Sequence, residues 1–346
     1  MHLTPLPQIP LIQAPMAGGI TTPALVSAVA DAGAIGSFGF AYSNADKIAS
    51  DLKAARASTT GLINANFFII QPPEIPAPQA IEDAATALAE LPFPPANANP
   101  AHVDNMLAGA PSLNLTEQLE PLWEMPPDYL TFHFGIPSAE IIERAKSHNI
   151  AIGITATSLQ EAKQIKQAGA DFIIAQGQEA GGHRGTFTPN CTDDERLDTI
   201  ALTKCLSQEI ALPVASAGGI MSGADMKEAL QAGASLVQMG TAFLCANEAG
   251  TNHSYRAALT AKQGKPTCFT RHFSGRDARS IQNAFIEKMQ DKPYLPFPYQ
   301  NKLTASLRGK ASKDENSDYQ SLWAGTNYQQ IIAAPAADII AKIMDE

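Results

Sequence analysis

Eight short apolar runs alternate with helix-like segments between residues 10 and 244, and this alternation limits the possible folds more than any other feature of the chain. The runs are PLIQAPM (10–16), AIGSFGF (34–40), GLINANFFII (61–70), YLTFHFG (129–135), IAIGITAT (150–157), DFIIAQG (171–177), LPVASAGG (212–219) and ASLVQMGTAFL (234–244). Apolar strands joined by helical crossovers form parallel sheets buried on both faces, and eight such units favour a closed (β/α)8 barrel, the TIM barrel, over an open doubly wound sheet. The first crossover carries its own punctuation: Thr22 can cap, Pro23 suits the first helical turn and Gly33 can end the helix.

The rhythm breaks once. Residues 71–127 hold twelve prolines and read as an insertion after the third strand, carrying two helical pieces, IEDAATALAEL and TEQLEPLWEM. Leu, Trp and Met at helical spacing argue that it packs rather than forming a linker. The expected organisation is a barrel over residues 1–244, with residues 245–346 as a helical extension that includes the segment KPYLPFPYQN and packs over it.

Composition removes several function classes. A formal net charge of -10 repels nucleic acid and anionic membrane surfaces at long range. Cys191, Cys205, Cys245 and Cys268 show no metal-site spacing and no disulfide framework. The N-terminus has no basic stretch ahead of an apolar one, and no apolar run approaches the roughly 20 residues of a membrane span. A cytoplasmic protein acting on a small molecule is the expectation.

In such a barrel the chemistry sits where the strands end. Those positions offer Met16 and Gly18 after the first run, Asn64 and Asn66 in the third, His133 in the fourth, and Gln176 leading into QGQEAGGHRGTF (176–187) after the sixth. Gly218 and Gly219 close the seventh run ahead of a helix, and Gly240 and Thr241 repeat the arrangement in the eighth. Glycine lets backbone N–H groups approach a phosphate, a helix N-terminus favours its charge, and these two loops form the recurrent phosphate site of TIM barrels. A phosphate-bearing cofactor is the consequence, although tight turns alone also use such glycines.

QAPMAGG, INANFF, FHFGIP, AQGQEAGGHRG, ASAGGIMSG, VQMGTAFL, FSGRDAR and LWAGT, taken in order, resemble the nitronate monooxygenases, formerly called 2-nitropropane dioxygenases. The resemblance implies a TIM barrel with non-covalent FMN and no need for a nicotinamide. It implies oxidation of alkyl nitronates by O2, by way of a flavin semiquinone, to a carbonyl compound and nitrite, with propionate 3-nitronate as the expected substrate. By the same resemblance Asn66, Gln176, Gly181, Gly182, Gly218, Gly219, Gln238, Met239, Gly240 and Thr241 match FMN-binding positions, and Met16 and Gly18 lie near the flavin ring. Amide side chains suit the donor and acceptor edge of that ring.

His183 matches the proposed catalytic base of the family. A neutral imidazole with an ordinary pKa near 6.5 can remove the acidic proton beside a nitro group. His133 is expected at the same mouth, binding nitronate oxygens or orienting the ring, with a satisfied core histidine as the alternative. Arg184 either attracts an anionic substrate or fixes its loop through a salt bridge. Ser274, Gly275, Arg276, Arg279, Tyr299 and Trp323 look like the segment that closes over the site, with Tyr299 and Ser274 as candidate substrate contacts. Thr326 stands where the family usually has glutamine. Two rivals share the phosphate loops: an NAD(P)H-dependent FMN reductase on the same barrel, and a non-catalytic phosphate-binding barrel.

Overall fold

The computed structural model describes residues 4–70, 74–92 and 114–346. The rest of the proline-rich insertion, residues 71–73 and 93–113, lies outside the described residues. Nine strands in chain order are β1 (Leu11–Gln13), β2 (Gly36–Gly39), β3 (Ile63–Phe68), β4 (Tyr129–His133), β5 (Ala151–Ala156), β6 (Phe172–Gln176), the short β7 (Gly182–His183), β8 (Val214–Ala217) and β9 (Leu236–Met239). All but β7 form one parallel sheet in the order β1-β9-β8-β6-β5-β4-β3-β2. The sheet closes on itself because Ile12 bridges Ile35 in parallel, with Gln13 N donating to Ile35 O and Ile35 N to Leu11 O, both at 2.9 Å. The expected (β/α)8 barrel is the fold.

Crossover helices α1 (Pro23–Asp31), α2 (Ala45–Arg56), α3 (Pro78–Ala89), α4 (Leu115–Glu124), α5 (Ala139–Ser147), α6 (Leu159–Ala168), α7 (Thr199–Glu209) and α8 (Gly223–Gln231) lie outside the strands. Their starts follow from local chemistry. Thr22, Asn44, Ser138, Ser158, Asp198 and Ser222 each accept a backbone N–H of the first helical turn, satisfying a donor the helix cannot pair internally. Both helical pieces read in the insertion are present. Gln118 of α4 donates to the carbonyls of Phe40 and Ser43, and Leu119 and Leu122 join the helix–sheet core, which ties this helix to the rim of the barrel.

Beyond β9 come a hairpin, β10 (Thr267–Thr270) and β11 (Ala278–Ile281), and helices α9 (His253–Leu259), α10 (Ala284–Met289), α11 (Tyr299–Leu303), α12 (Ala305–Lys313) and α13 (Ala336–Asp345). These do not stay together. Ile339, Ile340 and Ile343 of α13 pack with Leu25 and Val29 of α1 and Met226 of α8, so the last helix fills the outer ring where an eighth crossover helix belongs. The hairpin instead pairs antiparallel with β7 over the mouth, Ala278 opposite His183 and Arg279 opposite Gly182.

Inside the barrel, Ile12, Ile35, Tyr129, Phe172, Ile174 and Leu236 form a closed layer beneath the mouth. The Phe172 ring is fully buried and lies where a Cβ on Gly153 would stand, 2.1 Å from its Cζ. Gly153→Ala is therefore expected to overpack this layer and destabilise the protein by about 1–3 kcal/mol, seen as a lower urea midpoint at unchanged slope.

Candidate active site

The C-terminal ends of the strands open into one cavity of about 600 Å³. Its wall brings together Met16, Gly18, Asn66, His133, Gln176, Gly181, Gly182, His183, Gly218, Gly219, Gln238, Gly240 and Thr241. Three of the expected cofactor or substrate contacts have side chains placed elsewhere. Met239 turns its side chain into the helix–sheet core, because neighbours along a strand face opposite sides. Tyr299 packs in a separate cluster around Phe273 and Phe285. Ser274 is fully buried behind His183.

The 176–187 loop is held from every side. Arg184 is buried and forms a two-pronged pair with Asp194, Nε and Nη2 both at 2.8 Å, while Nη1 donates to the Gln176 carbonyl. Arg184 is thus the loop-fixing residue and does not face the cavity. Burial alone would raise the Asp194 carboxyl, but the hydrogen bonds and charge of Arg184, helped by Arg196, outweigh it and hold the group below the usual carboxylate range. The Gln176 amide is spent on the same loop, donating to the His183 carbonyl at 2.9 Å and accepting Gly185 N–H at 2.7 Å. From outside, Arg276 donates to the Thr186 carbonyl with its guanidinium over the Phe134 ring, and Arg279 donates to the Gln178 carbonyl.

The two histidines have different hydrogen-bond partners, and a carbonyl acceptor fixes the tautomer of His133. His133 Nε2 lies 3.2 Å from the His183 carbonyl, which can only accept, so Nε2 carries the proton; Nδ1 then accepts from the Thr155 hydroxyl at 3.0 Å. Both nitrogens of His133 are occupied, which makes it a support for the His183 backbone. His183 Nε2 lies 2.9 Å from Ser274 Oγ, which in turn lies 3.2 Å from the Arg276 carbonyl. With the Ser274 proton on that carbonyl, Nε2–H of His183 donates to Ser274 and Nδ1, which has no protein partner among the described residues, is the basic atom.

Burial first, then the His133 ring and the charges of Arg276 and Arg308, lowers the His183 pKa to about 3. His133 falls to about 3 mainly by burial, against the opposing effect of its hydrogen bond to the His183 carbonyl. The rings of Phe134, Phe297 and Trp323 stand 5.6–5.9 Å from His183 and explain the apolar surroundings.

At the glycine turns the arrangement fits a phosphate and a flat heterocycle. Gly218 and Gly219 have φ of 131° and 67°, and a Cβ on Gly218 would stand 2.5 Å from Thr199 Oγ1. Among the described residues no protein acceptor meets the backbone N–H groups of Gly218, Gly219, Gly240 or Thr241. Thr241 Oγ1 accepts Gly325 N–H at 3.0 Å and keeps its own proton to donate. Gln238 Oε1 is buried without a partner, a condition that costs about 1–3 kcal/mol unless a ligand donor meets it. The Thr326 position is exposed, and its backbone N–H, not its side chain, ties the segment after Trp323 to the Glu179 carbonyl.

A family profile described as nitronate monooxygenase matches residues 3–346. The chain belongs to the nitronate monooxygenase family. It is similar to nitronate monooxygenases from Paraburkholderia phytofirmans, 38% identical over 97% of this chain and 92% of that protein, and from Pseudomonas aeruginosa, 36% identical over 98% and 96%. It is also similar to the crystal structure of a nitroalkane oxidase from Streptomyces ansochromogenes, with a TM-score of 0.90, 32% identity and coverage of 99% and 96%. The sequence alone does not single out Thr155, which donates to His133 Nδ1, or the cavity-lining Tyr42, Asn327 and Arg308. None of them lies in a recognisable motif.

Two outcomes follow from this geometry. Arg184→Ala strands the Asp194 carboxylate in a buried site and is expected to lower stability by about 3–5 kcal/mol, with Arg184→Ala/Asp194→Ala recovering part of the loss in urea unfolding. The folded histidines stay neutral down to about pH 3, whereas unfolded histidine gains its proton near pH 6.5. The unfolded state thus binds more protons between those values, so stability falls as pH drops from about 6.5 toward 3, moderated by the surface both rings keep on the cavity. His133→Gln is expected to make that fall shallower when urea midpoints are compared at pH 7 and pH 5.

Proposed function

We propose that this chain uses FMN and O2 to oxidise alkyl nitronates, propionate 3-nitronate among them, to a carbonyl compound and nitrite. The observation that carries the reading is the pairing, across one cavity, of the histidine Nδ1 with an unpartnered amide acceptor and an open set of backbone N–H donors. Gly218, Gly219, Gly240 and Thr241 would hold the phosphate of FMN, while Gln238 and Asn66 would meet the polar edge of its ring. Bound FMN supplies the electron transfer between nitronate and dioxygen. Atoms balance when two nitronates and one dioxygen give two carbonyl compounds and two nitrites.

The protein residues supply position and charge control. His183 offers Nδ1 toward the substrate, and the aromatic rings around it exclude water. Its low pKa makes it a weak base for a neutral nitroalkane, so preformed nitronate is the preferred substrate. An anion bound beside it offsets the charges of Arg276 and Arg308 and makes the imidazolium easier to form.

Oxygen uptake and nitrite release by the yellow protein with propionate 3-nitronate, in the absence of any nicotinamide, test the reading. A protein that ignores nitronate and is rapidly reduced by NADH would overturn it. His183→Asn is expected to lower kcat/KM for nitroethane about 100-fold or more and for ethyl nitronate less than 10-fold. Ser274→Ala, which frees the ring to take the other tautomer, is expected to act in the same direction by about 10-fold. Equal losses on both substrates would remove the base role.

A further inference from the structure

Among the described residues the cavity wall contains no Asp, Glu or Lys, and Arg308 is its one permanently charged side chain. In a chain of net charge -10 that is an unusual place for an arginine. Among the described residues Arg308 forms no ion pair. Its guanidinium is fixed instead by neutral groups of its own helical neighbourhood: Nε donates to Thr304 Oγ1 at 3.1 Å, and Nη2 donates to Asn301 O at 2.7 Å and Asn301 Oδ1 at 2.8 Å. No protein acceptor among the described residues takes Nη1. Thr304 Oγ1 in turn donates to the Phe273 carbonyl, next to Ser274, so the same framework positions Arg308 and His183.

A fixed, unpaired guanidinium in a cavity otherwise free of charge attracts anions, and its planar fork matches a carboxylate. The phosphate cradle of Gly218, Gly219, Gly240 and Thr241 has its own backbone donors. Arg308 instead belongs to the His183 side of the cavity, where its charge is among those that resist protonation of that ring. A nitronate head beside His183 leaves Arg308 for a second negative group on the same small molecule. We infer that Arg308 is the specificity residue for a carboxylate carried on the carbon chain of the nitronate. This inference rests on the nitronate-oxidising reading above.

The test compares kcat/KM for propionate 3-nitronate and propyl-1-nitronate, which differ in the carboxylate, using flavin-saturated wild type, Arg308→Gln and Arg308→Lys. Arg308→Gln is expected to lower the ratio of the two values by about 10- to 100-fold, mainly through KM, with Arg308→Lys falling between. Titration with 3-nitropropionate, followed by the flavin absorbance, should show the same order of affinities without turnover. A ratio unchanged in both variants, or equal loss on both nitronates, would overturn the assignment. If Arg308→Gln does not retain flavin, the ratio measured for Arg308→Lys decides in the same way. A wild type that oxidises neither nitronate would refute the proposed function itself, a result distinct from either.

Discussion

The buried pair of Arg184 with Asp194 turns a glycine-bearing connection into a fixed wall of the active-site cavity. A loop of this composition, left to itself, would sample many conformations, because Gly181 and Gly182 impose little restriction. The pair removes that freedom at the point where the His183 carbonyl and ring must be placed. Once Arg184 is fixed, its third donor holds the Gln176 carbonyl, the Gln176 amide holds His183 and Gly185, and β7 can pair with the hairpin from the far end of the chain. Burying two charges is unfavourable unless their geometry is good, and here two parallel hydrogen bonds supply it.

This rigidity shapes the electrostatics. His183 sits among aromatic rings, with its Nε2 held against Ser274, and the nearby guanidinium groups raise the cost of protonating the ring. A site built in this way accommodates negative charge more readily than it creates it. The open N–H groups at the glycine turns and the unpaired guanidinium of Arg308 point the same way, although the chain as a whole is strongly acidic. The cavity is therefore an electropositive interior inside an electronegative molecule, and its contents are selected by local donors rather than by net charge.

Much of the architecture was legible in the sequence because it depends on local periodicity. The eight apolar runs became the eight barrel strands, and Thr22, Pro23 and Gly33 bound the first helix as their chemistry requires. The glycine turns after β8 and β9 were also readable, since positive φ at Gly218 and Gly219 admits few other residues. The sequence named Gln176 and His133 as residues of the mouth, but not what their polar atoms do. Both are consumed in holding the His183 segment, through partners such as Thr155 that lie on other strands.

The sequence by itself determined the barrel, the family resemblance and the set of polar residues at the strand ends, because each follows from spacing along one segment. Only the tertiary structure decided that the His183 ring meets Ser274, that Ser274 is buried behind it, and that α13 completes the outer ring. It also decided that Arg308, more than a hundred residues beyond His183 in the chain, lines the same cavity with no ion-pair partner among the described residues. Those facts depend on which distant segments meet, and that is not encoded in the spacing of residues along any one stretch.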